Sequence, residues 1–115
     1  MTDCIFCRIA SGEIPATIVK RSADAVAFRD LDPKAPTHVL IIPTTHVAAA
    51  RDAKGSDGEK ILGRLLAFAT EVATELGLDS GGYRIVTNTG SDGGQSVFHL
   101  HLHLLGGRKL TWPPG

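Results

Sequence analysis

The chain has 115 residues, of which 43% are apolar and 21% are charged, and this predicts a single domain, residues 1–115, around one modest hydrophobic core. Twelve basic residues balance twelve acidic ones, so the net charge is zero with neutral histidines, which argues against a nucleic-acid-binding protein. The sequence contains neither an eighteen-residue apolar run nor a signal-peptide pattern, so we expect a cytoplasmic protein that makes no membrane contact.

The pattern of apolar residues predicts an α+β fold: an antiparallel β-meander of about five strands, with one long helix and a short N-terminal helix. The short helix is expected over residues 4–11. A loop at 30–36 contains two prolines, which block regular structure, and Pro43 ends the strand that follows it. The strands predicted in this half of the chain are 17–21, 24–29 and 38–42.

The longest predicted helix covers residues 57–76. Ser56 and Glu59 fit a capping box at its start, and Gly77 suits the left-handed residue that ends a helix. The apolar arc of this helix is broad, so one side could cover a sheet while the other meets a second subunit. Strand periodicity returns at 82–88, and a glycine-rich loop at 89–96 leads into the last predicted strand, 97–105.

Three histidines alternate with leucines in this last segment, at positions 99, 101 and 103. In a strand, alternation places the three imidazoles on one face and the leucines on the other. Adjacent histidines would lie about 6.6 Å apart and the outer two about 13 Å apart, so all three cannot bind one metal ion.

The polar loop directly before the histidines is rich in glycine, which lets backbone amides turn toward an anion. Gln95 and Ser96 add further donors. An amide-lined loop beside a row of imidazoles favours phosphoryl chemistry in which one imidazole attacks. Taken alone, the loop fits a flexible hairpin turn equally well.

The histidine segment 99–105, read as His-Leu-His-Leu-His-Leu-Leu, resembles the signature of the histidine triad (HIT) family of nucleotide hydrolases and transferases. The resemblance extends over nearly the whole chain. The C-terminal tail is similar to that of the Hint branch, which hydrolyses nucleoside phosphoramidates. The other segments that match the family pattern are 3–7, 28–31, 35–43, 93–97 and 106–115.

This resemblance implies a homodimeric hydrolase that cleaves adenosine or guanosine 5′-phosphoramidates through a covalent nucleotidyl-histidine intermediate and needs no catalytic cofactor. His101 would be the nucleophile, oriented by a backbone carbonyl, and an imidazole suits this role because it attacks in its neutral form near pH 7. His103 and the amides around Ser96 would hold the phosphate oxygens, with Ser96 also close to the leaving group. The implied catalytic set is His38, Ser96, His99, His101 and His103.

The resemblance also implies the nucleotide contacts. Asp30 would accept from the ribose hydroxyls, Leu31 would pack on the base, and Asn88 would lie on the phosphate side. Trp112 would reach the site of the other chain in the dimer. Without the resemblance, Asp30 and Asn88 would be ordinary turn residues. The full implied set is Asp30, Leu31, Asn88, Gly94, Gln95, Ser96, Val97, His101, His103 and Trp112.

Two cysteines, Cys4 and Cys7, form a C-x-x-C pair, which in a reducing compartment indicates half a metal site, a redox pair or two buried small residues. His46 could supply a third ligand and His99 a fourth, as in some bacterial members of the family. The resulting Cys₂His₂ set suits tetrahedral zinc, and we expect a structural zinc ion because four protein ligands leave no position for a reacting water.

Other functions remain open from sequence alone. A dinucleoside polyphosphate hydrolase of the Fhit type is disfavoured by the short chain and its tail, and a uridylyltransferase is disfavoured because His103 stands where that branch has glutamine. A non-catalytic nucleotide-binding or scaffold protein would not need the intact triad and Ser96. A purely structural zinc module would have no use for His101 and His103.

Overall fold

A computed structural model describes residues 3–115 and contains one five-stranded antiparallel sheet. The strands are β1 (Ile18–Arg21), β2 (Ala25–Arg29), β3 (Thr37–Pro43), β4 (Tyr83–Val86) and β5 (Leu102–Gly106). The helices are α1 (Ile5–Ala10) and α2 (Gly55–Glu75), with a short 3₁₀ helix at Ala50–Asp52. The order across the sheet is β1-β2-β3-β5-β4, so β5 is inserted between β3 and β4. The predicted α+β fold is confirmed, with this one departure from chain order.

Helix α2 covers one face of the sheet and forms the larger core with it. Its apolar stripe packs onto the inward-facing residues of β2, β3 and β5, because alternate residues of a strand point to the same face. The helix contributes Leu65, Phe68, Ala69, Val72 and Ala73, and the strands contribute Ala25, Ala27, Val39, Ile41, Leu102 and Leu104.

Helix α1 covers part of the opposite face, where its buried Phe6 and Ile9 meet β2 and β3. A six-residue helix is too short to be stable alone, so this packing is what keeps it in place. The strand residues beneath it are Val26, Phe28, Leu40 and Ile42. The same sheet face also carries His38 and His103, since His103 pairs with Leu40 and His38 lies two residues before Leu40.

The last strand begins at Leu102, and the prediction that it begins at Val97 is wrong. Register explains the difference. Leu102 pairs with Ile41, two residues before Pro43, which ends β3 and has no N–H to continue the ladder. The chain before Leu102 is held differently, by a hydrogen bond from the Leu100 amide to the Val47 carbonyl at 2.6 Å.

Helix α2 begins at Gly55 with Lys54 as its N-cap, and no side chain caps it. The predicted capping box of Ser56 and Glu59 is therefore wrong, because Ser56 already lies inside the first turn. Gly77 follows the end of the helix with φ of 76°, the left-handed conformation expected of it. None of the helices within residues 3–115 is both long and apolar enough to span a membrane.

Candidate active site

His101 lies immediately before β5 and is buried, with only 6% of its surface exposed. Its Nδ1 atom is 2.8 Å from the backbone carbonyl oxygen of His99. A carbonyl only accepts, so Nδ1 carries the proton and donates it, and Nε2 of the neutral ring keeps a free lone pair. The orienting carbonyl that the resemblance implies is therefore present. The Thr87 hydroxyl donates to the His101 carbonyl at 2.9 Å and steadies this segment.

His103 carries its proton on the opposite nitrogen. Its Nδ1 atom lies 2.9 Å from Nε2 of His38, whose own Nδ1 accepts from the backbone N–H of Lys34 at 3.0 Å. The His38 proton must therefore be on Nε2, which donates to Nδ1 of His103 and leaves the His103 proton on Nε2. The Asp30 carboxylate lies 3.5 Å from the same His38 nitrogen and favours that proton.

Burial keeps these rings neutral. It is the main cause that lowers the pKa of His103 to about 4, and the nearby His101 and His38 lower it further. Burial also lowers the pKa of His38, against the opposing effect of Asp30. At neutral pH both rings are uncharged, so each has one donor and one acceptor nitrogen. The rings of His101 and His103 lie 5.1 Å apart between centroids, so a ring with a lone pair at Nε2 neighbours a ring with an N–H at Nε2.

Two pockets meet beside these histidines, and Asp30 lines both. One is an apolar pocket of about 250 Å³ between α1 and β2. The other is a polar cleft of about 410 Å³ that includes His38, Asn88 and His103. Leu31 lies at the rim of the apolar pocket and is 98% exposed. The remaining walls of that pocket are Ile5, Phe6, Ile9, Ile14, Pro15, Ala16, Thr17, Phe28, Arg29 and Leu40.

The glycine-rich loop is held by the side chain of Gln95, which is buried. Its Oε1 accepts from the Gly90 amide at 2.9 Å, and its Nε2 donates to the carbonyls of Ala48 and Val97. Both polar atoms of this side chain are therefore already hydrogen-bonded within the protein. The expectation that Gln95 adds free donors is wrong for its side chain, whose role here is to shape the loop.

Not every amide of this loop is available to an anion. The amides of Gly94 and Gln95 donate to the carbonyls of Ser91 and Gly90 within the turn, at 3.0 Å each. Within residues 3–115 the amides of Ser96 and Val97 form no such backbone hydrogen bond. Ser96 is exposed, so the amides of Ser96 and Val97 are candidates for contact with an anion in the expected nest.

A second cluster lies on the other side of His101 and contains Cys4, Cys7, His46 and His99. One ligand atom from each lies within 4.8 Å of all the others. Nε2 of His99 is 3.0 Å from the Pro43 carbonyl and donates to it, so Nδ1 has a free lone pair directed into the cluster.

The distances in this cluster suit a shared metal ion. Nδ1 of His99 lies 3.1 Å from Nδ1 of His46 and 3.2 Å from Sγ of Cys4. Burial, and next the hydrogen bond with Cys4, raises the pKa of the Cys7 thiol to about 11, and a bound cation would reverse this shift. Burial lowers the pKa of His99, which keeps its ligand nitrogen unprotonated. Two sulfur and two imidazole ligands are the donor set of structural zinc.

Asp30, His38 and His103 also present three ligand atoms within 4.8 Å of one another. Two of these three ligand atoms, His38 Nε2 and His103 Nδ1, are hydrogen-bonded to each other. This second group is therefore a hydrogen-bonded relay.

The C-terminal tail runs back along its own chain. The Thr111 carbonyl accepts from the Arg84 guanidinium at 2.8 Å, and Pro114 lines the polar cleft together with His103. Trp112 is 80% exposed and is not among the residues that line the cleft within this chain. The contact expected between Trp112 and a second subunit stays a prediction.

A family model described as "HIT domain" matches residues 11–110, which is most of the chain and contains the triad. The chain belongs to the HIT domain family. A "14 kDa zinc-binding protein" of Zea mays is 49% identical to it over 112 residues, which cover 96% of this chain and 87% of the maize protein.

Solved structures of HIT proteins superimpose on nearly the whole chain. A HIT family hydrolase from Legionella pneumophila has a TM-score of 0.93 and 53% identity, over 97% of this chain and 99% of that one. A histidine triad nucleotide-binding protein from Candida albicans has a TM-score of 0.80 and 33% identity, over 96% of this chain and 82% of that one.

Sequence reasoning missed two contributors to this HIT site. Phe6 packs edge-on against His101, with ring centroids 5.1 Å apart, and it also lines the apolar pocket. Phe6 lies between the two cysteines and three residues before Ile9, and this apolar spacing is the signal that could have indicated its contact with the site. The Lys34 backbone N–H has no side-chain signature, so only the structure shows its contact with His38.

Proposed function

We propose that this HIT protein hydrolyses purine nucleoside 5′-phosphoramidates through a nucleotide bound covalently to His101. The observation that carries the proposal is the pair of opposite tautomers. His101 presents a lone pair at Nε2, and the neighbouring His103 presents an N–H donor. The first can attack a phosphorus atom while the second stabilises the negative charge that develops on its oxygens.

The reaction then has two steps. Nε2 of His101 attacks the phosphorus, the P–N bond to the leaving amine breaks, and the amine takes up a proton. Water next attacks the phosphorus, the bond to His101 breaks, and the water returns one proton to solvent. The products are a nucleoside monophosphate and the free amine, and His101 regains its lone pair.

The two pockets give the nucleotide an orientation. The purine would enter the apolar pocket beside Phe28, the ribose hydroxyls would reach Asp30 where the pockets meet, and the phosphate would lie between His101 and His103. The apolar lining suits stacking on either purine. The Candida albicans relative is named a nucleotide-binding protein, which supports this class of ligand. Preference for phosphoramidates over dinucleoside polyphosphates rests on the Hint-like tail.

We also propose one structural zinc ion held by Cys4, Cys7, His46 and His99. The maize relative is named a zinc-binding protein, and the donor set here fits that metal. Zinc would supply a cross-link and a positive charge that keeps the thiols deprotonated. Its effect on catalysis would be indirect, since His99 also offers the carbonyl that orients His101.

A homodimer is the third part of the proposal. Leu66, on helix α2, is half exposed, and β4 lies at the edge of the sheet with pairing on one side only. Both features favour a second copy of the chain, because a two-fold contact covers the same surface on each subunit.

Mass spectrometry after rapid quench tests the nucleophile. Incubation with an adenosine phosphoramidate should give a peptide spanning residues 97–105 that carries one nucleoside monophosphate on His101. The His101→Ala variant should lose several orders of magnitude in rate, because the remaining groups bind substrate and cannot attack it. An adduct on His103, or none during turnover, would contradict the proposal.

A further inference from the structure

The loop between β2 and β3 is held at Lys34 from two sides. The backbone N–H of Lys34 donates to Nδ1 of His38 at 3.0 Å, and its carbonyl accepts from Nη2 of Arg108 at 2.8 Å. The side chain of Lys34 points elsewhere and pairs with Asp32. The backbone of Lys34 therefore connects Arg108 to His38.

The turn after β5 is built for this contact. Gly107 has φ of 92°, and a Cβ atom there would lie 2.9 Å from Cβ of Pro36. A glycine is needed both for the backbone conformation and for the close approach to the 30–36 loop. Arg108 forms no ion pair within residues 3–115, and its guanidinium donates to the backbone carbonyls of Lys34 and Lys109.

The Lys34 N–H at Nδ1 and the Asp30 carboxylate near Nε2 together determine which nitrogen of His38 carries the proton. A neutral imidazole has one N–H and one lone pair, and Nδ1 can accept from Lys34 only if the proton is on Nε2. That Nε2–H donates to Nδ1 of His103. The His103 proton is therefore kept on Nε2. In the opposite tautomer of His38, the Nδ1–H would point at the backbone N–H of Lys34, and two donors would face each other without an acceptor.

We infer that Arg108 is a positioning residue that acts through the Lys34 backbone to hold His38 and His103 in their Nε2–H tautomers. Arg108 does not line either pocket beside the triad, so its effect is transmitted by the loop. The consequence for catalysis rests on the proposed function, since it requires a phosphate oxygen facing Nε2 of His103. The tautomers themselves do not depend on that proposal.

Loss of the Arg108 contact would free the loop at the Lys34 carbonyl. His38 would then lose the fixed donor at Nδ1 and sample both tautomers. When the His38 proton moves to Nδ1, Nε2 of His38 no longer donates to His103. The His103 proton then shifts from Nε2 to Nδ1. His103 would then turn a lone pair toward the phosphate oxygens, which repels the negative charge it should stabilise.

The experiment compares Arg108→Ala with Lys109→Ala, which removes one positive charge from the adjacent exposed position. Long-range ¹H–¹⁵N spectra of the histidine rings at pH 7.5 report the tautomers, with His38→Gln and His103→Gln chains to assign the signals. We expect the wild type and Lys109→Ala to show Nε2–H forms at both His38 and His103. Arg108→Ala should show a mixture at both, with an unchanged fold by circular dichroism.

Kinetics provide the second measurement. Arg108→Ala should lose about tenfold in kcat on an adenosine phosphoramidate with a smaller change in KM, because the weakened interaction is one made in the transition state. Arg108→Lys, which keeps a donor of shorter reach, should recover part of the rate and of the Nε2–H signal. Lys109→Ala should match the wild type in both.

The two measurements separate the inference from the proposed function. Wild-type tautomers in Arg108→Ala overturn the inference, whatever that variant's rate. A wild-type chain with His38 protonated on Nδ1 overturns it as well. Shifted tautomers in a protein that cleaves no phosphoramidate support the positioning role and contradict the proposed function.

Discussion

The imidazole of His103 is uncharged in the folded protein because burial lowers its pKa to about 4, far below the ordinary value of 6.5. A histidine whose pKa is lowered by folding stabilises the fold fully above its unfolded pKa. This contribution is lost as the pH falls toward the folded value, because the unfolded chain binds the proton first. The affected window therefore runs from about pH 6.5 down to about pH 4.

We predict that the wild type loses stability through this window more steeply than a His103→Gln variant, whose side chain does not titrate. Urea unfolding at several pH values between 7.5 and 4.5 measures the difference. The titratable groups distant from His103 cancel in the comparison, because both chains carry them in the same environment. If the free energy of unfolding falls equally with pH in the two proteins, the pKa of His103 does not differ between the folded and unfolded states.

Single residues were predictable where their chemistry is in the side chain and less so where it depends on the backbone. The histidines and cysteines stand out by type and spacing, and the structure brings Cys4, Cys7, His46 and His99 together as expected. The sequence predicts donors at Gln95 because it does not show that the loop folds around this side chain. The Lys34 amide was not predicted, since any residue except proline offers the same N–H.

Among the elements, α1 depends most on contacts outside itself. It has six residues, its N-cap Cys4 accepts from the Cys7 amide through Sγ, and both cysteines reach across to His99. Such a short helix is marginal by itself, so a metal ion that joins it to the chain before β5 should contribute to stability.

We therefore predict one zinc ion per chain, measured by elemental analysis of protein purified without added metal. A chelator should lower the Tm by at least about 4 °C, the shift that about 1 kcal/mol produces in a domain of this size. The initial rate should fall less. Cys7→Ser is the control, because its lower Tm should no longer respond to the chelator. A metal content near zero, with thiols that react readily, would falsify this assignment.

The glycine-rich loop has a steric requirement at Gly93. A Cβ atom there would lie 2.4 Å from the Thr89 carbonyl oxygen, so a side chain forces the loop to move. We predict that Gly93→Ala costs about 1–3 kcal/mol of stability and raises KM for an adenosine phosphoramidate. Gly81→Ala is the matched control, because nothing lies within 4 Å of its added methyl group. Equal stabilities and KM values in the two variants would contradict this account.

The elements themselves were largely predictable, and their ends were not. Periodicity located all five strands and both helices, because burial of one face determines it. The start of β5 depends on its partner, since Pro43 ends the ladder from the neighbouring strand. Helix α2 likewise begins at Gly55, before the capping box that Ser56 predicts. The insertion of β5 between β3 and β4 is a long-range feature that no local sequence pattern contains.

At the scale of the whole molecule, the tail and the outer side of α2 are among the features that one chain leaves exposed. Trp112 is 80% exposed, although Arg84 holds the adjacent Thr111 carbonyl against β4. A large aromatic ring held at a fixed place and open to solvent suits a contact with a second subunit. The proposed homodimer would provide that contact, with the tail of one chain at the leaving-group side of the other.

We predict that deletion of residues 111–115 leaves the dimer and its Tm nearly unchanged and alters the ranking of substrates that differ only in their amine. Sedimentation and a series of adenosine phosphoramidates measure the two effects.

Mixed dimers then decide which chain the tail serves. They pair a chain lacking residues 111–115 with a full-length His101→Ala chain, so the truncated chain holds the only active nucleophile. If the tail acts on its partner, this site receives Trp112 from the His101→Ala chain and shows the preferences of the full-length enzyme. Pro114 also lines the cleft of its own chain, so the opposite result has a structural basis. Preferences of the truncated type would show that each tail serves its own chain, and the proposed exchange between subunits would be wrong.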